Sequence, residues 1–252
     1  MPKILRCSIP FLLSLILCCN ISLFVIAQES LNDVFVKGQS LSYQGYEITK
    51  VQSEKDTEAW DAILKKDGNI IARFDQGFWT DWIMDFSPKF SIIYTSSDYP
   101  VGYGMIPDDY NKDGKYEFLQ TLLTFDYFDR LPHYLSPLPA VVFQYDVSTG
   151  KYVPANNRFA SVLLKDIGKD ISHAESFLKN VNSSSYEDST GEYLSAVMNV
   201  LLPYLYAGEE KKGWSFYDVH YQLNDKKEMR QKIQKQLDSC VVYQYLKAHP
   251  TK

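Results

Sequence analysis

Near Asn156-Asn157 the spacing of apolar residues changes, and that change limits what this chain can fold into. Before it, apolar residues alternate in short runs that end at Gly, Asp or Asn. This is the signature of half-buried strands joined by tight turns. After it, they recur every three or four residues, as on amphipathic helices. The expected class is therefore α+β. A β-rich half of antiparallel hairpins over residues 28–157 would precede a helical bundle over residues 158–252, as two domains or two layers.

The strand half can be read run by run. Leu41-Ser42-Tyr43 and Tyr46 to Val51 flank Gln44-Gly45. Trp60 to Leu64 and Ile70 to Phe74 flank a turn through Asp67-Gly68. Asp-Gly between two apolar runs is a strong hairpin signal, because such turns need positive φ. The aromatic stretch Gly77 to Phe86 is expected to be irregular, and Phe90 to Tyr94 to be a strand. Phe118 to Phe125 is a further expected strand, and Val141 to Tyr145 with Lys151 to Val153 a further hairpin. Between them, Asp129 to Pro139 carries three prolines and reads as a surface excursion.

In the helical half, Val162, Leu163, Ile167, Ile171, Ala174 and Phe177-Leu178 fall at helical spacing. Asn182 to Asp188 is a polar loop, and its Asn182-Ser183-Ser184 matches the glycosylation sequon, which has force only in a eukaryotic secretory pathway. Ser189 or Thr190 is expected to cap a helix carrying Tyr193, Leu194, Val197, Met198, Leu201, Leu202 and Leu205, with Pro203 as a kink and Gly208 as its end. Glu209 to His220 reads as a short partner helix with Trp214 and Tyr217. A last helix, capped by Asn224 or Asp225, would turn Met229, Ile233, Leu237 and Cys240 inward.

The start of the chain is a targeting signal in pattern. Met1 to Arg6 is basic, Ile9 to Ala27 is apolar, and Val25-Ile26-Ala27 offers a cleavage site. Residues 1–27 are therefore expected to be a secretory signal peptide, and the mature protein to be secreted or periplasmic. An uncleaved anchor is the alternative, which Asn20, Ser22 and the Val-x-Ala ending disfavour. No later run is long and apolar enough to span a membrane as a helix. Three of the four cysteines stand in this segment, leaving Cys240 on an apolar stripe, where a buried structural thiol is expected. The net charge of −5 becomes more negative once Lys3 and Arg6 are removed, which argues against nucleic acid as a partner.

The one local pattern with a definite chemical reading is Asp109-Tyr110-Asn111-Lys112-Asp113-Gly114-Lys115-Tyr116-Glu117. Calcium takes six to eight oxygen ligands, and a tight loop can supply most of them. Asp109, Asn111 and Asp113 fall at alternate positions, followed by the carbonyl of Lys115 and the carboxylate of Glu117. Gly114 stands where the chain must turn sharply. A helix-loop-helix calcium site would want Glu where Gln120 stands, and a strand rather than a helix follows. The same residue types also make polar turns without an ion.

This loop resembles the calcium loops of FG-GAP/VCBS-type repeats in integrin-like β-propellers. The resemblance covers a single loop, with no second copy at a fixed period. It implies a structural calcium ion and a propeller-blade-like β-half, with no reaction.

Other chemistry is harder to find. His133, His173, His220 and His249 do not pair at metal-ligand spacing on one helix, and there is no Gly-x-Ser-x-Gly elbow or phosphate-cradling glycine loop. The expected function is that of an exported, non-catalytic protein with a calcium-stabilised β-region and a helical region for packing or protein contact. Phe78, Trp79, Trp82, Phe86 and Phe90 crowd one section and Tyr127, Phe128 and Tyr134 another, and large aromatics of this kind are expected mostly to fill the core. One alternative is a carbohydrate- or cell-surface-binding module using exposed aromatics of the first section, Trp79 and Trp82 above all. Another is a hydrolase with a site assembled from distant residues.

Overall fold

The computed structural model describes residues 3–4, 16–17, 40–43, 45–52, 60–74, 81–85, 89–102, 105–181 and 188–250. The chain divides into two compact units, Met1–Asp98 with Tyr103–Met105, and Tyr99–Gly102 with Ile106–Lys252. The first holds strands. The second holds both strands and helices, so the change of period at Asn157 falls inside it.

In the first unit the strands are β1 (Lys3–Ile4), β2 (Ile16–Leu17), β3 (Leu41–Tyr43), β4 (Tyr46–Gln52), β5 (Trp60–Lys66), β6 (Asn69–Phe74), β7 (Trp82–Asp85) and β8 (Ser91–Thr95). One sheet is the meander β3-β4-β5-β6 and the other runs β1-β2-β7-β8. Neighbours are antiparallel except at Leu17 beside Met84, where β2 and β7 run parallel. Asp67 and Gly68 both take positive φ, 49° and 82°, and join β5 to β6 as the two-residue turn their identity predicts. Ile48, Leu64, Ile83, Met84 and Ile93 are buried. The Tyr46 hydroxyl accepts a hydrogen bond from the Phe90 amide at 3.2 Å.

Part of the aromatic stretch expected to be irregular is strand β7, because Ile83 and Met84 are buried and pair with β8. Trp79 and Phe86 lie outside the described residues. So do the sequon at Asn182 and, apart from β1 and β2, the segment read as a signal peptide.

The second unit begins with a four-stranded antiparallel meander. It consists of β9 (Ile106–Asp108), β10 (Glu117–Thr121), β11 (Ala140–Asp146) and β12 (Lys151–Pro154), in spatial order β12-β11-β10-β9. Phe118 stacks on Phe143 across the pair β10 and β11, with ring centroids 5.0 Å apart. Helices follow: α1 (Ala160–Leu163), α2 (Ile167–Val181), α3 (Glu192–Tyr206), α4 (Glu210–His220), α5 (Lys226–Ser239) and α6 (Val241–Ala248). At the change of period, the buried Asn156 side chain continues the pairing of β11 beyond the end of β12. Its Oδ1 accepts from the Val142 amide at 2.8 Å, and its Nδ2 donates to the Ala140 carbonyl at 3.0 Å. Strand-rich first half and helical second half match the expected order, and among the described residues the sheets form neither a closed barrel nor a propeller.

Helix α3 is the centre of the helical layer. Tyr193, Leu194, Val197, Met198, Leu201, Leu202 and Leu205 are all buried, and α2 and α4 pack against it. Gly208, at φ 80°, follows its end as expected. Its start differs from expectation. Asp188 takes the place of Ser189 or Thr190, accepting from the amides of Tyr193 and Leu194 at 3.0 Å each. Gly191 occupies the N-cap at φ 80°, and a Cβ there would stand 2.7 Å from Leu131 Cδ2.

The last expected helix is two. Met229, Ile233, Leu237 and Cys240 are all buried, but Cys240 is the extended residue between α5 and α6. Among the described residues, no helix is long and apolar enough to cross a membrane.

Candidate metal centre

The loop Asp109 to Tyr116 connects β9 to β10, and Glu117 is the first residue of β10, opposite Asp108. Two residues give the loop its shape. Lys112 has φ 59° and Gly114 has φ 85°. A Cβ on Gly114 would meet no atom within 4 Å, so glycine is needed there for conformation, not for space.

Alternate side chains turn back onto the loop's own backbone. Asp109 accepts from the Asp113 amide with Oδ1 and from the Gly114 amide with Oδ2, each at 2.9 Å. Asn111 Oδ1 also accepts from the Asp113 amide, at 3.0 Å, and its Nδ2 donates to Asp113 Oδ2 at 3.1 Å. Asp113 Oδ1 accepts from the Lys115 amide at 2.8 Å. Asn111, Asp113 and Lys115 are exposed. Glu117 is 1% exposed and closes the loop from below. Its Oε2 accepts from the Tyr110 amide at 3.2 Å and its Oε1 from Gln144 Nε2 at 3.1 Å.

The electrostatics follow from that placement. Burial pushes the Glu117 carboxyl above the ordinary carboxylate range. The bonds from Gln144 and Tyr110 oppose this, while the nearby charges of Asp113 and Asp109 add to it. Gln144 is itself held, because Arg158 Nη1 donates to its Oε1 at 2.8 Å. Glu117, Gln144 and Arg158 line one cleft of about 470 Å³, together with Asp146 and Tyr245.

The expected ligands thus lie on one loop, and their oxygen chemistry fits a hard cation. Each carboxylate oxygen that accepts one amide keeps a further lone pair. Among the described residues, however, no three of the His, Cys, Asp and Glu side chains gather closely enough to form a ready-made metal cage. Binding would require Asp109, Asp113 and Glu117 to draw together. Gln144 and Arg158 were not singled out from the sequence. Gln144 stands opposite Glu117 by the register of β10 with β11, which is a pairing between distant residues.

The remaining candidates take other roles. Cys240 is a buried free thiol, its Sγ 3.3 Å from the hydroxyls of both Thr124 and Tyr206. His133 pairs with Asp126 at 2.7 Å, and His220 and His249 stack on Phe216 and Tyr245. Of the aromatics weighed for binding, Trp82 is half-buried, while Tyr127 and Tyr134 are 68% and 80% exposed. No family model, curated protein or solved structure matches this chain.

Proposed function

We propose that the loop Asp109 to Glu117 binds calcium, and that the ion braces the β9–β10 hairpin of an exported, non-catalytic protein. The observation that carries this reading is the inward turn of Asp109, Asn111 and Asp113 onto the amides of residues 113 to 115. A loop whose oxygens already fold back onto its own amides has the donors for a hard cation, once Asp109, Asp113 and Glu117 draw together. The sheet that bears it, β12-β11-β10-β9, is a four-stranded antiparallel meander. That is the size of one propeller blade, which supports a likeness to FG-GAP/VCBS-type repeats at the level of a single unit.

The ligands are Asp109, Asn111, Asp113 and Glu117, with the carbonyl of Lys115. Export follows from the basic and apolar start of the chain, and millimolar affinity suffices outside the cell. The acidic balance disfavours nucleic acid, and a protein or a cell-surface glycan is the partner class that remains. Calorimetric titration of the mature protein with calcium tests the reading. One calcium per chain, lost in Asp113→Ala, is the expected result. Absence of binding at several millimolar calcium would overturn it.

A further inference from the structure

Beyond the calcium reading, and independent of it, we propose that the cleft beside Tyr127 binds a neutral pyranose oligosaccharide. The site lies between the segment that joins β10 to β11 and helix α5. Asp126, Tyr127, Asp129, Lys232, Lys235 and Gln236 line a cleft of about 340 Å³.

Three observations converge there. The first is conformational. Tyr127 and Asp129 both have positive φ, 51° and 54°. For a bulky residue such as tyrosine that is an outlier, tolerated where the surroundings fix it. The surroundings do fix it: the Tyr127 amide donates to Ser136 Oγ at 2.9 Å, and Ser136 Oγ donates to the Pro132 carbonyl at 3.1 Å.

The second is exposure. Tyr127 is 68% exposed, so its ring contributes little to any core. One face is backed by the His133 imidazole, with centroids 5.6 Å apart and planes 28° from parallel. His133 is in turn held by Asp126 at 2.7 Å. Tyr127 itself lines the cleft. Tyr134, beside His133 in sequence, is 80% exposed. Backbone strain that displays a ring in water is explained by what the ring touches, not by packing.

The third is the chemistry of the rim. A protein hot spot is most often a Trp, Tyr or Arg seated in a well-packed, desolvated pocket, whereas Tyr127 stands in an open cleft. Here the ring instead borders carboxylates, ammonium groups and an amide. A pyranose has an apolar C–H face for a ring and equatorial hydroxyls for such groups. Lys232 is tied to Asp129 at 2.7 Å and to Glu228 at 2.8 Å. Asp126 and Asp129 balance Lys232 and Lys235, so the cleft favours a neutral sugar over an anionic one.

The test is titration of the mature full chain with cellohexaose, maltohexaose, xylohexaose and chitohexaose, read by calorimetry. At least one should bind. Tyr127→Phe keeps the ring and should bind within a few-fold of wild type. Tyr127→Asn removes the ring but accepts positive φ, so it should fold with an unchanged circular dichroism spectrum and bind at least tenfold more weakly. A wild-type chain that binds none of the four overturns the proposal, and so does binding that survives in Tyr127→Asn.

Discussion

Arg130 Nη2 donates to the hydroxyl of Tyr221 at 2.7 Å, tying the proline-rich surface segment to the end of α4. Burial pushes the Tyr221 phenol well above its ordinary value, so it stays protonated and donates in turn to Asp225 Oδ1 at 2.9 Å. Arg130 Nη1 reaches Asp225 Oδ2 at 3.0 Å, and its Nη2 is 3.5 Å from Asp188. One guanidinium thus orders a surface segment, two helix starts and a helix end within the second unit.

Asp188 is the member whose loss should cost most. Its side chain is 1% exposed and accepts two buried amides at the start of α3. Asp188→Ala would leave both donors unsatisfied and Arg130 short of one anion. A loss of about 2–4 kcal/mol is expected, larger than for an exposed helix cap. Asp188→Asn keeps one good acceptor and should fall between. Urea unfolding monitored by circular dichroism measures both, and equal stability of Asp188→Ala and wild type would refute this role.

Asp129 supplies the pH dependence. Burial alone would raise its carboxyl, but the hydrogen bond and charge of Lys232, with the charge of Arg130, outweigh it and hold it below the usual range. A folded value below the unfolded one gives stability that is present above the unfolded value, near 3.8, and lost as pH falls through the folded one. The group is partly exposed, so solvent screening keeps the effect under about 1 kcal/mol. Asp129→Asn tolerates the positive φ and removes the charge. The stability gap between wild type and variant should be constant at neutral pH, close in strong acid, and shrink in high salt. A gap that ignores pH would show that Asp129 acts through shape alone.

What the sequence made legible were the features set by local chemistry. Asp67-Gly68 names its turn because few residue pairs accept two positive φ angles in succession. The stripe from Tyr193 to Leu205 names a buried helix. The features it hid depend on residues far apart. Asp188, Ser189 and Thr190 are all good caps, and Leu131 packed against Gly191 fixes the backbone from which Asp188 reaches the α3 amides. Met229 to Cys240 keeps one helical stripe through a break that has no Gly or Pro to mark it. Glu117 was legible as an oxygen donor. Its anchoring to Gln144 and Arg158 was not, because strand register is absent from any local pattern.

Cys240 offers a test of how the helices open. It is 3% exposed, and the hydroxyls of Thr124 and Tyr206 stand beside its sulfur. A buried thiol reacts when the structure opens, not at the rate of a free one. Alkylation followed by peptide mass spectrometry should find Cys240 protected in native buffer, with labelling rising alongside urea unfolding. Prompt labelling in native buffer would place the α5–α6 break among the weakly held parts of the fold.

The calcium loop gives the last prediction. Asp109, Asp113 and Glu117 carry like charges close in sequence, and the two aspartates already press on Glu117. Bringing them together without a cation is repulsive. An ion that binds the folded loop and not the unfolded chain must therefore raise stability, by about 2.7 kcal/mol when its concentration is a hundredfold above its dissociation constant. Melting curves of the mature protein in millimolar calcium and in chelator read this directly. Wild type should melt higher in calcium. Asp113→Ala should melt at one temperature in both, having lost a ligand that is exposed and that no core contact needs. Gly114→Ala should lower the melting point even in chelator, because φ 85° strains any residue with a Cβ. It should also weaken the calcium response, because the sharp turn sets where the Lys115 carbonyl points. Identical wild-type curves in calcium and chelator would mean that Asp109 to Glu117 is a polar turn that stabilises itself through its own amides.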